Sequence, residues 1–321
     1  MSADEPPASA GCPVCGGALR GPIAGFRYDC AGCAFACAGP QIAPGGAATV
    51  RLREDRREAA LAPLRARNFE VVLDRLAVCG ARGGTLLDVG CAHGWFLDAA
   101  RRRGYAASGI EPDRDVAAKA VQRGHDVTHG LFPDVLGARA RFDVVVFNDV
   151  FEHLPAPRAA LRALAEALAP GDLLAINLPS SRGAFYRLAE GLRRLGFRGP
   201  HDRLWQVGFP SPHLCYFHPD ALSRLASDCG FEEIDRQALP SIAHEGLWQR
   251  LRYDPQASWI SCAATWLAVT LAAPLLQRLP PDISLSIFRR LPDAPPARQR
   301  DDTVAAGSSD AAGGGTIAAT R

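Results

Sequence analysis

The chain has 321 residues, with 36 Lys+Arg against 34 Asp+Glu and a formal charge of +2. That near-balance excludes a nucleic-acid binder driven by bulk charge, and 48% hydrophobic with 22% charged residues excludes wholesale disorder. Lys119 is the one lysine, so nearly all the basic charge is Arg, a bias that a GC-rich genome explains without invoking function.

Residues 1–11 read as a disordered leader, acidic and without the apolar run of a signal segment. A reducing cytoplasm is therefore expected, where clustered cysteines read as metal ligands rather than disulfides. Residues 12–38 hold that cluster: Cys12 and Cys15, then fourteen residues, then Cys30 and Cys33. Two such knuckles close a tetrahedral four-thiolate zinc site, each clamping one side of the metal. The segment looks like a zinc ribbon, a small fold that cannot bury enough apolar area alone and takes its folding energy from Zn2+. Cys37 is a spare that could replace Cys33, although Cys33 has the better spacing.

Residues 39–54 are a Gly/Pro/Ala-rich linker, and 55–291 form the main unit. Helical spacing begins the unit, from about Arg53 to Val78. Strand–helix alternation follows: strand 85–90, helix 95–104, strand 105–112, helix 114–124, weak strand 125–130, strong strand 142–149, helix 156–171 and strand 172–179. This rhythm predicts an α/β fold, Rossmann-like and doubly wound, with a mostly parallel seven-stranded sheet and the site along its C-terminal edge. Residues 180–218, rich in Gly, Pro, His and aromatics, read as a lid or acceptor region. A helix and a strand follow over 219–239, an apolar helical insertion over 243–281, a final strand over 282–290, and a disordered tail over 292–321.

The text LLDVGCAHGWF (86–96) lies where a strand meets a helix. Gly90 and Gly94 bracket a turn that brings backbone N–H groups toward a ligand. It matches the dinucleotide pattern G-x-G-x-x-G poorly, because Ala92 and Trp95 stand where glycine or a small residue is needed. Asp88 at the strand tip would repel a pyrophosphate and attract an ammonium or sulfonium. Glu111, 23 residues on, ends the second strand and can take both hydroxyls of a ribose. A ligand with an amino-acid arm, a ribose and a positive sulfur fits these two acids: S-adenosylmethionine.

D-V-G-C-A-H-G followed by G-I-E-P resembles the first two motifs of the class I S-adenosylmethionine-dependent methyltransferases, and the segment 213–231 resembles the stretch before the sixth strand in their small-molecule and glycan branch. Further matches are FDVVVFNDVFEHL (142–154), LAPGD (168–172), LLAINLPS (173–180) and HLCYFHPDALSRLASDCGF (213–231). Together they cover about residues 55–290, with Ala92 departing from the family's usual middle glycine. The resemblance implies that Asp88, Gly90, Cys91 and Gly94 line the methionine side of the cofactor. It implies that Glu111 holds the ribose, that Pro112 and Asp113 lie near the adenine, that Leu131 flanks it, and that Asn148 sits beneath the methionine.

Methyl transfer needs alignment, and a base only if the acceptor loses a proton. His153 is the candidate base or acceptor-positioning residue; with Glu152 it also reads as a cap of the next helix or as packing beneath the cofactor. His213 and Tyr216, with His218, His201 and Trp205 nearby, suit an acceptor pocket, although each alone also reads as an ordinary surface or core residue. The 18 uncharged residues Trp259–Leu276 are long enough to raise the question of a membrane span. A single crossing would strand the final strand on the wrong side, which leaves a buried helix, a homodimer contact, or peripheral contact with the inner face of the membrane.

The function expected is methyl transfer to a small-molecule, sugar or lipid-linked glycan acceptor. One alternative is ribosomal or transfer RNA methylation, which shares the layout of ribbon then catalytic domain but lacks a basic, aromatic-interleaved patch here. The other is a non-catalytic zinc- and S-adenosylmethionine-binding scaffold.

Overall fold

The computed structural model describes residues 11–42, 54–137, 140–209, 211–241, 247–252, 258–276 and 279–293. The expected leader, most of the linker and most of the tail lie outside the described residues, as do parts of the 243–281 insertion. Three short strands come first, β1 (Leu19–Ile23), β2 (Arg27–Cys30) and β3 (Ala36–Ala38), then the long helix α1 (Glu54–Val78). The alternation that follows is β4 (Gly84–Val89), α2 (Trp95–Arg102), β5 (Tyr105–Glu111), α3 (Arg114–Gln122), β6 (Asp126–His129), β7 (Val144–Asn148), α4 (Pro157–Ala167) and β8 (Leu173–Pro179). The chain continues through α5 (Ala184–Arg194), α6 (Gly199–Leu204), β9 (Cys215–Tyr216), α7 (Pro219–Ser227), β10 (Phe231–Leu239), α8 (Leu247–Arg252), α9 (Trp259–Leu276) and β11 (Ile283–Arg290).

The main sheet has seven strands in the order β10-β11-β8-β7-β4-β5-β6. Pairing is parallel from β8 through β6, and β11 runs antiparallel to both its neighbours. The apolar runs explain the layering. Val144, Val145, Val146 and Phe147 are fully buried on both faces of β7, as expected of a central strand covered by helices on each side. One face packs Leu73 and Leu76 of α1 and Phe96 and Leu97 of α2. The other packs Leu161 and Leu164 of α4 with Leu222 and Leu225 of α7. The edge strand β6, by contrast, is largely exposed.

A second sheet, in the order β1-β2-β3-β9, was not foreseen. Its first three strands belong to the cysteine segment, and the fourth comes from the region expected to be a lid. β3 and β9 pair antiparallel, Ala36 opposite Tyr216 and Cys37 opposite Cys215. The cysteine segment also shares its core with the main sheet, Val14 and Phe35 joining Phe147, Phe151 and Phe217. Arg158 of α4 donates to the carbonyl oxygens of Pro13 at 2.8 Å and Val14 at 3.0 Å.

Helix α9 is not the buried helix that was one of the three expectations. Trp259, Ile260, Leu267 and Leu271 are all more than half exposed, while Cys262 is buried and donates its thiol to the Leu251 carbonyl of α8. Among the described residues no helix is long and apolar enough to cross a membrane.

Candidate active site

The C-terminal tips of β4, β5 and β7 open on a cleft of about 880 Å³. Asp88, Gly90, Cys91, Glu111, Pro112, Asp113, Leu131, Asn148 and His153 all line it. Nine of the residues singled out in the sequence are therefore brought together. Gly94, between the lining residues His93 and Trp95, shapes the turn instead.

The loop after β4 owes its shape to backbone freedom. Gly90 has φ +75° and a Cβ there would lie 2.5 Å from Val150; Gly94 has φ +79° and its Cβ would meet His125 at 2.4 Å. Both positions exclude a side chain by conformation and by space. Ala92 adopts φ 46° between them, a left-handed conformation that glycine would take without strain. The N–H groups of Gly90 and Cys91 donate to the Ile110 carbonyl at 2.8 and 3.1 Å, which ties the β4 turn to the tip of β5.

Glu111 completes that tie. Its Oε2 accepts from the Ala92 N–H at 2.9 Å and its Oε1 from the Asp113 N–H at 3.0 Å. One carboxylate thus holds both loops that frame the cleft, and it retains lone pairs for a ligand's hydroxyls. Burial pushes its carboxyl up from the ordinary range, and the two backbone donors work against that shift. Asp113 accepts from the N–H groups of Asp115 and Val116 and caps α3.

Asp88 is 2% exposed. Burial, aided by the nearby charge of Glu111, pushes its carboxyl up to about 8, against the opposing hydrogen bond from Asn148. Asn148 donates from Nδ2 to Asp88 Oδ1 at 3.1 Å and accepts on Oδ1 from Asn177 Nδ2 at 2.8 Å. Asn177 in turn accepts from the Asp149 N–H at 3.1 Å. This chain across the tips of β4, β7 and β8 fixes the Asn148 amide with its donor toward the acid. Asn177 went unremarked in the sequence, though a lone amide in the apolar run LLAINLP was a visible signal. A buried acid with a raised pKa gains charge when a cation arrives, so the floor of the cleft suits an ammonium or sulfonium.

His153 lines the opposite wall. Its Nδ1 lies 2.7 Å from the Pro212 carbonyl and 3.1 Å from Ser211 Oγ. Behind it sits Glu152, 1% exposed, with burial pushing its carboxyl well above the ordinary range.

His213 and Tyr216, expected in an acceptor pocket, do not line the cleft. Tyr216 is 1% exposed and packs against Trp205 and Tyr186, with its hydroxyl donating to the Leu204 carbonyl at 2.9 Å. His213 is buried, with Nδ1 3.0 Å from that hydroxyl and Nε2 2.8 Å from Gln206 Nε2. His201 is likewise buried beside Trp205, and His218 caps α7 by accepting from the Asp220 N–H. The β3–β9 pairing, illegible in the sequence, turns this segment into interior.

The four cysteine sulfurs Cys12, Cys15, Cys30 and Cys33 lie within 4.8 Å of one another, with Cys12–Cys33 and Cys15–Cys30 each at 3.4 Å. Zn–S bonds of about 2.3 Å place tetrahedral sulfurs about 3.8 Å apart, so the donor set fits zinc. Cys37 stays outside the group, buried in β3 opposite Cys215.

Residues 53–235 match the family described as a methyltransferase domain. A ubiquinone biosynthesis O-methyltransferase of Azoarcus sp. (strain BH72) is 30% identical over 167 residues, 48% of this chain and 66% of that protein. One of Xanthomonas euvesicatoria pv. vesicatoria (strain 85-10) is 33% identical over 157 residues, 44% of this chain and 62% of that protein. The chain thus spans just under two thirds of the length of these curated relatives. Among solved structures, an S-adenosylmethionine dependent methyltransferase from Mesorhizobium loti is similar with a TM-score of 0.46 at 14% identity, covering 68% of this chain and 96% of that one.

Proposed function

Because the chain belongs to the methyltransferase domain family, we propose that it transfers a methyl group from S-adenosylmethionine to a small-molecule acceptor. The relatives' name favours oxygen as the atom methylated. The observation that carries this reading is the pairing of Asp88 and Glu111, two buried acids on one cleft whose loops are tied together by Glu111 itself. The cofactor supplies an electrophilic methyl on a positive sulfur; the protein has to bind, orient and exclude water.

In this reading Asp88, held by Asn148, takes the positively charged amino-acid arm, and Glu111 takes the ribose hydroxyls. Pro112, Asp113 and Leu131 border the adenine, and Gly90 and Cys91 let backbone approach the methionine side. His153 positions the acceptor: its Nδ1 is engaged by Pro212 and its Nε2 is turned toward Glu152. The four thiolates of Cys12, Cys15, Cys30 and Cys33 hold Zn2+ as a structural ion, with every coordination position filled by protein.

The test is calorimetric titration with S-adenosylmethionine, followed by transfer of a tritiated methyl to hydroxylated small molecules and, in parallel, to ribosomal and transfer RNA. Binding with transfer to a small molecule supports the reading. Transfer to RNA alone, binding with no transfer to any acceptor, or no binding overturns it.

A further inference from the structure

Helix α9 carries no charge along its 18 residues, yet much of it faces solvent. Ile260, Ala264, Leu267 and Leu271 follow one another at steps of four, three and four residues, so they share one face of the helix. All four are exposed, Ile260 by 74% and Leu271 by 72%. The opposite side is anchored, since Cys262 is buried and donates its thiol to the Leu251 carbonyl of α8 at 3.2 Å. Trp259, also exposed, begins the same helix. A protein surface that meets only water rarely presents such an uninterrupted apolar row.

The apolar surface continues past the end of α9. The Pro280 carbonyl accepts from the Ala184 N–H at 3.2 Å, and Asp282 accepts from the Phe185 N–H at 2.8 Å. The start of α5 is thereby bound to the segment that leaves α9, which brings exposed Phe185 and Leu188 close to exposed Leu279. Ile283 then opens β11 opposite Pro179, the last residue of β8. Because β8 runs parallel to β7, this rim lies on the sheet edge where the cleft opens.

Charge decides what covers the rim. Arg182 and Arg187 are exposed at the start of α5, and Arg252 is exposed at the end of α8, next to the Leu251 that holds Cys262. The single acid of α5, Glu190, is turned inward, where it pairs with Arg27 at 2.8 Å and Arg193 at 2.6 Å. A second copy docked about a two-fold axis would set this basic rim against itself, like charge facing like. An anionic lipid surface complements both properties: its headgroups attract the guanidinium groups, and its interface takes up the apolar row and the indole of Trp259. Among the described residues no helix is long and apolar enough to cross the bilayer.

We propose that the outward face of α9, continued by Leu279 and the first turns of α5, is a peripheral docking surface for a bilayer containing anionic lipids, with α9 lying in the interface plane. The inference is independent of methyl transfer, because docking is read without S-adenosylmethionine.

The test uses the full chain supplied with Zn2+ and its co-sedimentation with vesicles of phosphatidylcholine and phosphatidylglycerol in equal parts, against phosphatidylcholine alone. The expected result is binding to the mixed vesicles at least about tenfold tighter than to the neutral ones, weakening as salt is raised. Ile260→Gln, Leu267→Gln and Leu271→Gln combined should weaken binding by more than about tenfold, with melting temperature and zinc content unchanged. Val78→Gln, at an exposed apolar position on α1, should bind as wild type does. No vesicle binding, no preference for the anionic vesicles, or equal binding by the α9 variant overturns the proposal. A dimer in light scattering that the α9 variant dissociates, without vesicle binding, assigns the face to a second copy and overturns it too. Should the α9 variant fail to fold, Arg187→Glu with Arg252→Glu decides: a lost preference for the mixed vesicles supports the lipid surface, and a retained one refutes it.

Discussion

Glu111→Gln tests the cleft at the point where its construction and its chemistry meet. Each carboxylate oxygen of Glu111 accepts one backbone N–H, from Ala92 at 2.9 Å and Asp113 at 3.0 Å. Glutamine offers one acceptor oxygen and one NH2 group. Whichever way the amide turns, its donor faces a backbone donor, so one loop loses its anchor. The charge is lost as well, so the surviving bond and any bond to a ribose hydroxyl weaken. A hydrogen bond to a charged group is worth about 1.5–3 kcal/mol, and 1.4 kcal/mol is a factor of ten in affinity. The variant should therefore bind S-adenosylmethionine about 10- to 100-fold more weakly. Calorimetry reads the affinity, and thermal melting with and without ligand separates loss of binding from loss of fold. An affinity within about twofold of wild type would mean that Glu111 is a structural tie only, and the ribose would have to be placed elsewhere.

Three further outcomes follow from the same geometry. Asp88 has its carboxyl raised to about 8 by burial. Its stabilising contribution is complete below the unfolded pKa and is lost as pH rises through about 8, so the ligand-free protein should lose stability over that range. A cationic ligand reverses the preference, so affinity for S-adenosylmethionine should rise from pH 6 to about 8 with proton release, read from calorimetry in buffers of different ionisation enthalpy; Asp88→Asn should flatten the profile. Ala92→Gly should stabilise the fold by about 0.5–1 kcal/mol in chemical denaturation, because relief of left-handed strain outweighs the added unfolded-state entropy. Cys12→Ser should lower zinc content and speed amide exchange in both β3 and β9, while exchange in β4 and β5 and affinity for S-adenosylmethionine stay unchanged.

The parts of the fold that were legible in the sequence are those fixed by short-range pattern. FDVVVFND reads as a buried strand because four consecutive β-formers suit a central position covered on both faces, and β7 occupies that position. Asp88 and Glu111 could be placed because each ends a strand just before a turn, where parallel topology collects side chains on one edge. Illegible were the contacts made across long separations. Asn177 joins Asn148 from another strand, and nothing local to either residue announces the pair. The convergence of His213 on Glu152 depends on how residues 211–216 lie against the cleft wall, and no periodicity encodes that placement.

The reading of Tyr216 shows the physical reason most clearly. A polar aromatic in a loop rich in Gly, Pro and His suits an exposed pocket unless another element covers it. Here β3 pairs with β9 and the strand acquires two interior faces. Cys215 and Cys37 turn into the core shared with the main sheet, and Tyr216 and Ala36 turn into the cluster around Trp205. The cysteine segment is thus the cover that converts candidate pocket residues into core. It also holds Tyr216 where its hydroxyl orients His213. A metal ion held by the four cysteines would therefore act at a distance on the cleft wall, through a strand pair and one phenol, while the floor formed by Asp88 and Glu111 is built from other strands. Damage to the cysteine cluster should accordingly disturb what lies behind His153 before it disturbs the two acids.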